Sequence, residues 1–224
     1  PRPPWEKVGV TFTKDVTFFE KAKLRILNGT HSTLAYVGLL FGKETVYDAI
    51  STPSIQVLIS ALLEREIIPS IETDNIETLR QYAADIIARY HNKHIRHMLS
   101  QIAWDGSQKL PFRILDTVRD NLHANRDINL LCIPIAAWCL FVSRKAKAGE
   151  SITDPKATAL IERATRHAFD PVAVTNDLLN ETTIFAELSA NSLFRDHVLA
   201  QVKTLSAWST QDVDETLDPI LEDL

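Results

Sequence analysis

Apolar residues recur along this chain with the period of an α-helix, and this periodicity is the strongest constraint on its fold. The pattern begins at Thr17, whereas strand signals are scarce beyond the opening residues. Residues 1–16 are rich in proline and then in β-branched side chains, which favours an extended linker. We therefore predict a mainly α protein, in which a short extended arm at residues 1–16 precedes a single multi-helical domain at residues 17–224.

Prolines, capping residues and polar loops mark where the helices start and stop. Asn28-Gly29 is a common turn dipeptide, so the first run either divides there, with Thr30 as a new N-cap, or carries the dipeptide within one helix. We expect Asp105 to cap the turn at Gly106 in a loop over residues 105–107. Beyond the first run, the expected helices span residues 54–66, 75–90, 93–103, 111–122, 128–147, 155–168, 184–190 and 192–208.

The composition argues against several classes of function. Hydrophobic residues make up 45% of the 224 residues, which is enough for one sizeable core. The net charge of −5 argues against nucleic-acid binding, because such proteins carry a positive surface. The longest apolar run, residues 128–142, contains Asn129 and Pro134 and is shorter than the ~20 residues that span a bilayer. We therefore expect a buried core helix there and no membrane partner.

The two cysteines, Cys132 and Cys139, lie in this apolar run. On a helix they stand two turns apart, about 10 Å, which is too far for a disulfide. We therefore expect buried thiols in a reducing compartment. With no signal peptide visible in the sequence, the expected location is cytoplasmic.

Lys23, Asn28 and His31 form the pattern K-x4-N-x2-H early in the first helical run. At the α-helical pitch, Asn28 lies about 140° and His31 about 80° around from Lys23, so the three share one broad arc. A lysine can act as a base once its pKa is lowered, for example by burial or by the neighbouring charge of Arg25. An amide can donate to a developing oxyanion, and an imidazole can orient or relay a proton. The pattern suits the removal of hydrogen from a carbinol.

The same residues, read as K-L-R-x-L-N-G-x-H-S, resemble the start of the C-terminal domain of the polyol-specific long-chain dehydrogenases, a family that includes mannitol 2-dehydrogenase and fructuronate reductase. Residues 89–113, RYHNKHIRHMLSQIAWDGSQKLPFR, are similar to a second family pattern, R-F-x-N-P-x-x-x-H-x-x-x-Q-I-A-x-D-G-S-x-K-x-P-x-R. The resemblance is clear over residues 5–145. It implies that Lys23 is the catalytic base, that Asn28 holds the carbinol or carbonyl oxygen, and that His31 binds and orients the substrate.

The second pattern implies a substrate-binding face. Arg89, Asn92 and His97 fall on its arginine, asparagine and histidine, and Lys109 falls on its lysine. Arg96 lies beside them and can grip a carboxylate through two parallel hydrogen bonds. The resemblance therefore implies that this face binds a polyol or a sugar acid.

Three histidines spaced by three, His91, His94 and His97, raise the alternative of a zinc site. We expect no metal, because the i, i+4 histidine pair and the carboxylate partner of a zinc motif are absent. Lys93 stands where the family usually has proline, whereas Arg113 matches the pattern's last arginine. Tyr90 and His91 also replace the family's usual phenylalanine and small residue. These departures leave the exact substrate open, with mannitol/fructose and mannonate/fructuronate as the leading pairs, and the basic face slightly favours the hexuronate.

No phosphate-binding loop is present: the chain has only six glycines and contains neither G-x-G-x-x-G nor G-x-x-x-x-G-K-[ST]. The resemblance places NAD or NADP mainly on an N-terminal Rossmann domain, which this chain lacks. The chain also begins with Pro rather than Met. We therefore expect the substrate and catalytic half of a larger, zinc-independent oxidoreductase, inactive alone and partnered by its own Rossmann domain. The alternative is a non-catalytic all-helical interaction or dimerisation module.

Overall fold

The computed structural model describes residues 3, 16–207, 217 and 221, and no strand occurs among them. Most of the predicted arm at residues 1–16, and most of the chain after residue 207, lies outside these residues. The α-helices are α1 Val16–Ala22, α2 Thr30–Leu40, α3 Val46–Ile50, α4 Pro53–Leu62, α5 Ile76–Tyr90, α6 Leu99–Ile102, α7 Gly106–Leu110, α8 Asp116–His123, α9 Asn129–Lys147, α10 Ala157–Arg166, α11 Pro171–Leu178, α12 Thr182–Phe185 and α13 Ser192–Ala207. The mainly α prediction is confirmed.

The first apolar run forms one unbroken helix across the Asn28-Gly29 dipeptide. α1 passes directly into a π-helical segment, Lys23–Gly29, and this segment passes directly into α2. Thr30 is not an N-cap, because its backbone is helical and its hydroxyl donates to the carbonyl of Ile26 at 2.5 Å. The dipeptide is therefore carried inside the helix.

Two further π-helical segments follow α4 and α7, at Leu63–Ile67 and Pro111–Leu115. The segment at Pro111–Leu115 packs against the one at Lys23–Gly29. A Cβ atom on Gly29 would lie only 2.8 Å from the backbone oxygen of Arg113, so the two backbones meet where a side chain does not fit. π-helical turns are rare and frequently occur at functional sites.

α9 occupies the centre of the core and packs against α2, α4, α10, α11 and α13. It is long and apolar enough to cross a membrane, yet 78% of its apolar stretch is buried inside the protein. The prediction of a buried core helix is thus confirmed. Cys132 and Cys139 are buried free thiols on this helix.

The N-terminus of α9 is held by the buried carboxylate of Glu66. The backbone N–H groups of Leu130 and Leu131 donate to its two oxygens, each at 2.8 Å. These N–H groups lie in the first turn of α9, where no intrahelical acceptor is available. Burial is the largest influence and raises the pKa of Glu66 to about 7, although both hydrogen bonds oppose this shift. Glu66 therefore joins the second π-helical segment to the central helix.

The predicted helix at residues 93–103 is wrong over most of its length. α5 ends at Tyr90, and the next helix, α6, covers only Leu99–Ile102. Just before α6, Met98 forms an antiparallel bridge with Thr45, which precedes α3. The N–H of Val46 donates to the carbonyl of His97, and the N–H of Leu99 donates to the carbonyl of Glu44, so Met98 is held extended. The residues that precede it form turns rather than a helix.

The loop predicted at residues 105–107 is instead the start of α7. Asp105 adopts a left-handed conformation with φ of 57°, and its side chain does not cap the helix, so the expected capping role of Asp105 is wrong. Asp154, which lies far away in the sequence, caps the start of α7 instead. Its carboxylate accepts from the N–H of Ser107 at 2.8 Å and from the Ser107 hydroxyl at 2.5 Å.

Candidate active site

Lys23 lies on the wall of a largely apolar groove between α1 and α5. The groove has a volume of about 740 Å³, and Phe18, Phe19 and Tyr82 line it together with the lysine. The Lys23 side chain is exposed, and it forms no hydrogen bond or ion pair with the part of the chain that the structure describes. The amine is therefore free to meet a molecule that enters the groove.

Asn28 lies one π-helical turn along from Lys23. The hydrogen bonds of a π-helix join residues five positions apart, which is the spacing of these two residues. The two therefore stand more nearly above one another than the 140° expected from an α-helix. The Asn28 side chain is half-buried and has no side-chain hydrogen bond among the described residues.

His31 is half-buried against two other rings. Its ring centroid lies 4.8 Å from that of Tyr90 and 5.2 Å from that of His97, in an edge-on arrangement with the latter. Burial, and then the charges of His97, Arg113 and Arg89, lower the pKa of His31 to about 4. The imidazole is therefore neutral at neutral pH and offers one donor and one acceptor.

The buried phenol of Tyr90 packs against the ring of His31 and is held in place by hydrogen bonds. Its hydroxyl donates to the carbonyl of Leu27 at 3.0 Å and lies 2.8 Å from the hydroxyl of Thr30. Burial raises the pKa of Tyr90, so the phenol stays neutral. These contacts tie α5 to the junction at which the π-helical segment passes into α2.

Arg113 faces His31 from the third π-helical segment. Its half-buried guanidinium donates from Nη1 to the hydroxyl of Ser32 at 3.1 Å. Lys109 lies one turn earlier, with its Nζ 4.0 Å from a carboxylate oxygen of Asp105. Burial and then the charge of Arg113 lower the pKa of Lys109. We use "the His31 cluster" for His31, Tyr90, His97 and Arg113.

The remaining residues predicted to bind substrate, Arg89, Asn92 and Arg96, are all exposed. Arg89 is exposed in the last turn of α5 and acts on His31 through its charge. Asn92 is exposed, and its side chain accepts from the N–H of His94 at 3.1 Å. Arg96 is 77% exposed and pairs with Glu44 at 3.8 Å. The structure thus pairs Arg96 with Glu44, whereas its neighbour His97, although exposed, contacts the ring of His31.

Arg25, which the sequence suggested as a charged neighbour of Lys23, is engaged with residues from other parts of the chain. Its buried guanidinium donates to Asp120 at 2.7 Å and to the hydroxyl and carbonyl of Ser70 at 2.8 and 3.0 Å. Lys21 also pairs with Asp120, at 2.9 Å. The charge of Arg25 is therefore already compensated by a carboxylate.

Sequence reasoning missed the ring contact of Tyr90 and the partnership of Arg113 with Ser32. Arg113 fell on the last position of the second pattern, so a signal for it existed, whereas nothing local pointed to Ser32. Within residues 16–207, no group of three or more His, Cys, Asp or Glu side chains could hold a metal ion. The predicted zinc-free chemistry is still an expectation.

Comparison with known proteins relates the chain to a dehydrogenase domain family and to two oxidoreductases. The family described as mannitol dehydrogenase C-terminal domain matches residues 15–206. The chain is similar to the uncharacterized oxidoreductase YdfI of Escherichia coli, at 37% identity over 92% of this chain and 43% of that protein. It is also similar to the D-mannonate oxidoreductase of the same organism, at 41% identity over 67% of this chain and 31% of that protein.

The fold is also similar to that of a solved dehydrogenase structure. The mannitol 2-dehydrogenase of Pseudomonas fluorescens, in a ternary complex with NAD and D-mannitol, superposes with a TM-score of 0.85 at 28% identity. The match covers 100% of this chain and 45% of that protein, so the chain spans less than half the length of these relatives. By its sequence and its helical architecture, the chain belongs to the mannitol dehydrogenase C-terminal domain family.

Proposed function

We propose that this chain is the substrate-binding and catalytic part of an NAD(P)-dependent oxidoreductase that interconverts a polyol or a sugar acid with its keto sugar. The observation that carries the proposal is the single helix on which Lys23, Asn28 and His31 stand, within the family to which the chain belongs. Lys23 is unpaired among the described residues, and His31 is neutral beside cationic groups.

In this proposal, Lys23 removes the hydroxyl proton of the substrate. As the C–H bond of the carbinol breaks with its electron pair, the O–H proton passes to the amine and a ketone forms. The reverse reaction returns the proton from the ammonium group to the oxygen. An ordinary lysine has a pKa of about 10.4, so the amine must lose water contact to act at neutral pH. Phe18, Phe19 and Tyr82 supply part of that environment. Another part of the protein would have to cover the groove and offset the carboxylates of Glu77 and Asp85, which also line it.

Asn28 and His31 act on the oxygen and on the rest of the substrate. The amide of Asn28 donates to the oxygen as its negative charge develops. The neutral imidazole of His31 binds a substrate hydroxyl, either as donor or as acceptor. His31 lies eight positions after Lys23, at most about 12 Å along the helix axis, which suits a chain of several hydroxylated carbons.

A bound nicotinamide dinucleotide would supply the acceptor for the hydride. The residues of this chain fit only the reacting end of such a cofactor, because Phe18, Phe19 and Tyr82 would shield the carbinol carbon beside Lys23 from water. The sequence has no glycine-rich loop for a pyrophosphate. We therefore assign the rest of the cofactor site to the part of the protein that lies outside this chain. The relatives extend well beyond the matched region, in agreement with this assignment.

The test uses the complete protein that contains this chain, assayed with D-mannonate and D-mannitol and with both NAD and NADP. Lys23→Ala should lower kcat by about 10³-fold, the usual contribution of a general base, without loss of the fold. An added small primary amine should restore part of the rate, because it replaces the missing base. Lys147→Ala changes an exposed lysine at the end of α9 and should leave kcat unchanged.

A Lys23→Ala variant with a normal rate would show that Lys23 is not the base. The absence of turnover with every polyol and sugar acid would instead contradict the reaction class. We do not propose the alternative of a non-catalytic helical module, because the family and the similar proteins are oxidoreductases.

A further inference from the structure

Arg113 holds a guanidinium group in the candidate site with most of its hydrogen-bonding capacity unused. Its backbone is fixed, because the Arg113 carbonyl packs directly against Gly29. Among the described residues, the hydroxyl of Ser32 is the hydrogen-bond acceptor of its side chain. A guanidinium carries five N–H donors in a planar fork, and a half-buried charge normally has an anionic partner.

No described group beside Arg113 supplies a negative charge. The nearby phenols, Tyr36 and Tyr90, are buried, which raises the pKa of each, so both stay neutral. His31 is neutral as well, because its pKa is about 4. Lys109 adds a positive charge on the same side, and its nearest carboxylate, Asp105, lies 4.0 Å from its Nζ.

The carboxylate of Asp154 also acts on this region through its charge, yet it is already engaged. It accepts from the N–H and hydroxyl of Ser107 and from the N–H of Lys156. Within residues 16–207, neither Arg113 nor Arg89 pairs with a carboxylate. The site therefore carries at least two uncompensated guanidinium charges.

Other arginines of this protein show what a compensated guanidinium looks like. Arg25 pairs with Asp120 at 2.7 Å, Arg119 with Asp116 and Glu187 at 2.7 Å each, and Arg163 with Glu181 at 2.9 Å. Arg144, which is also half-buried, donates to the carbonyl of Leu40 at 2.8 Å. That carbonyl is the last of α2, where the helix dipole is negative. Arg113 faces only a neutral hydroxyl.

We propose that Arg113 binds the carboxylate of a sugar-acid substrate, and that this protein acts on a sugar acid in preference to the corresponding polyol. The proposal rests on the function proposed above and names its substrate class. The flat fork of a guanidinium matches the two oxygens of a carboxylate, which accept two parallel hydrogen bonds. Beside it, Ser32 and the neutral His31 are suited to the hydroxyls that flank such a carboxylate.

The same fork could hold a phosphate of the cofactor, because both groups are oxyanions. We assign the carboxylate because Arg113 contacts the residue that follows His31, the predicted substrate ligand, and lies in the His31 cluster. The experiment must therefore separate the two sources.

The first measurement compares kcat and KM of the complete protein for D-mannonate and D-mannitol. We expect mannonate to have the higher kcat/KM. Arg113→Gln should raise KM for mannonate about 10–100-fold, the effect of losing a charge-assisted hydrogen bond, and change KM for mannitol less than about threefold. Arg113→Lys should fall between, because it keeps the charge and loses the fork. Arg166→Gln, a change at a guanidinium that is 64% exposed, is the matched control.

Equal KM changes for the two substrates, or a wild-type preference for mannitol, would overturn the carboxylate assignment while the dehydrogenase function stands. An unchanged KM for mannonate together with weakened NAD or NADP binding would overturn it in favour of a cofactor phosphate. Thermal shifts with mannonate, mannitol and inorganic phosphate add a readout without turnover. A shift by mannonate that Arg113→Gln abolishes, in a protein that oxidises neither substrate, would support the anion site and refute the proposed reaction.

Discussion

Glu66 offers a sharp test of the core, because opposing forces act on its carboxyl group. Burial raises the pKa of Glu66, and the N–H groups of Leu130 and Leu131 lower it. Burial dominates and holds the pKa at about 7, against 4.5 for an ordinary glutamate. The folded protein therefore binds a proton more tightly than the unfolded chain does. By linkage, the stabilisation is present below about pH 4.5 and is lost as the pH rises through about 7.

The magnitude follows from the two pKa values. Between about pH 5.5 and about pH 8.5, this carboxyl group lowers the free energy of unfolding by about 2 kcal/mol. His31 acts in the opposite direction, because its lowered pKa makes the folded chain bind fewer protons below about pH 6.5. The wild-type protein alone therefore shows a partly cancelled pH dependence, and a variant must isolate Glu66.

We would measure urea unfolding of the wild type and of Glu66→Gln at both pH values by circular dichroism. Because His31 contributes equally to both proteins, their difference in free energy of unfolding reports Glu66. The stability advantage of the wild type should shrink by about 2 kcal/mol from the lower pH to the higher. Glu66→Ala should show the same pH dependence as Glu66→Gln. It should also be less stable than Glu66→Gln by about 1–3 kcal/mol. The glutamine keeps one oxygen that accepts from an N–H group of α9, whereas the alanine leaves both N–H groups without an acceptor.

A stability difference that stays constant or grows with pH would refute this reasoning. It would mean that Glu66 is ionised in the folded protein, and that the two N–H groups and the helix dipole outweigh burial.

Two further outcomes are expected. Gly29→Ala should lower the free energy of unfolding by about 1–3 kcal/mol and also lower kcat, because its Cβ meets the Arg113 carbonyl. Gly42→Ala is the control, because Gly42 has a φ of 71° and open space around it, so the change should affect stability through backbone strain alone. Equal kcat values for the two variants would contradict a role for the contact between Gly29 and the Arg113 carbonyl. The ring protons of His31, followed by NMR, should titrate at about 4. A midpoint near about 6.5 would show that the ring is solvated.

The helices with long apolar repeats could be predicted from the sequence. The expected helix at residues 75–90 is observed as Ile76–Tyr90, and Asn75 caps it by accepting from the N–H of Thr78. The expected helix at 128–147 is observed as Asn129–Lys147. α3 and α11, by contrast, were not predicted, because each is too short to show a period and depends on a capping residue, Thr45 or Asp170.

The candidate site could be predicted only in part, for two physical reasons. Apolar periodicity does not distinguish an α-helical from a π-helical turn, so the angle between Lys23 and Asn28 about the helix axis could not be predicted. The residues around Met98, just before α6, are held by backbone pairing with the segment before α3, and no local sequence pattern indicates this pairing. That pairing moved Arg96 to Glu44. The role expected of Arg96 we assign instead to Arg113, whose position depends on the packing of two π-helical segments.

The π-helical segment at Lys23–Gly29 also sets how much change in length this helix tolerates. Because a π-helical turn holds one residue more than an α-helical turn, removal of one residue from this segment can be absorbed by a return to α-helical hydrogen bonds, with little change in the direction in which the side chains of α2 point. An inserted residue has no such outlet and would turn α2 by about 100° relative to α1. Since α2 is buried on nearly every side, Leu34 and Val37 would then meet the wrong neighbours, and His31 would leave Tyr90. We therefore expect this segment to accept the loss of one residue more readily than the gain of one, so its divergence in length is one-sided.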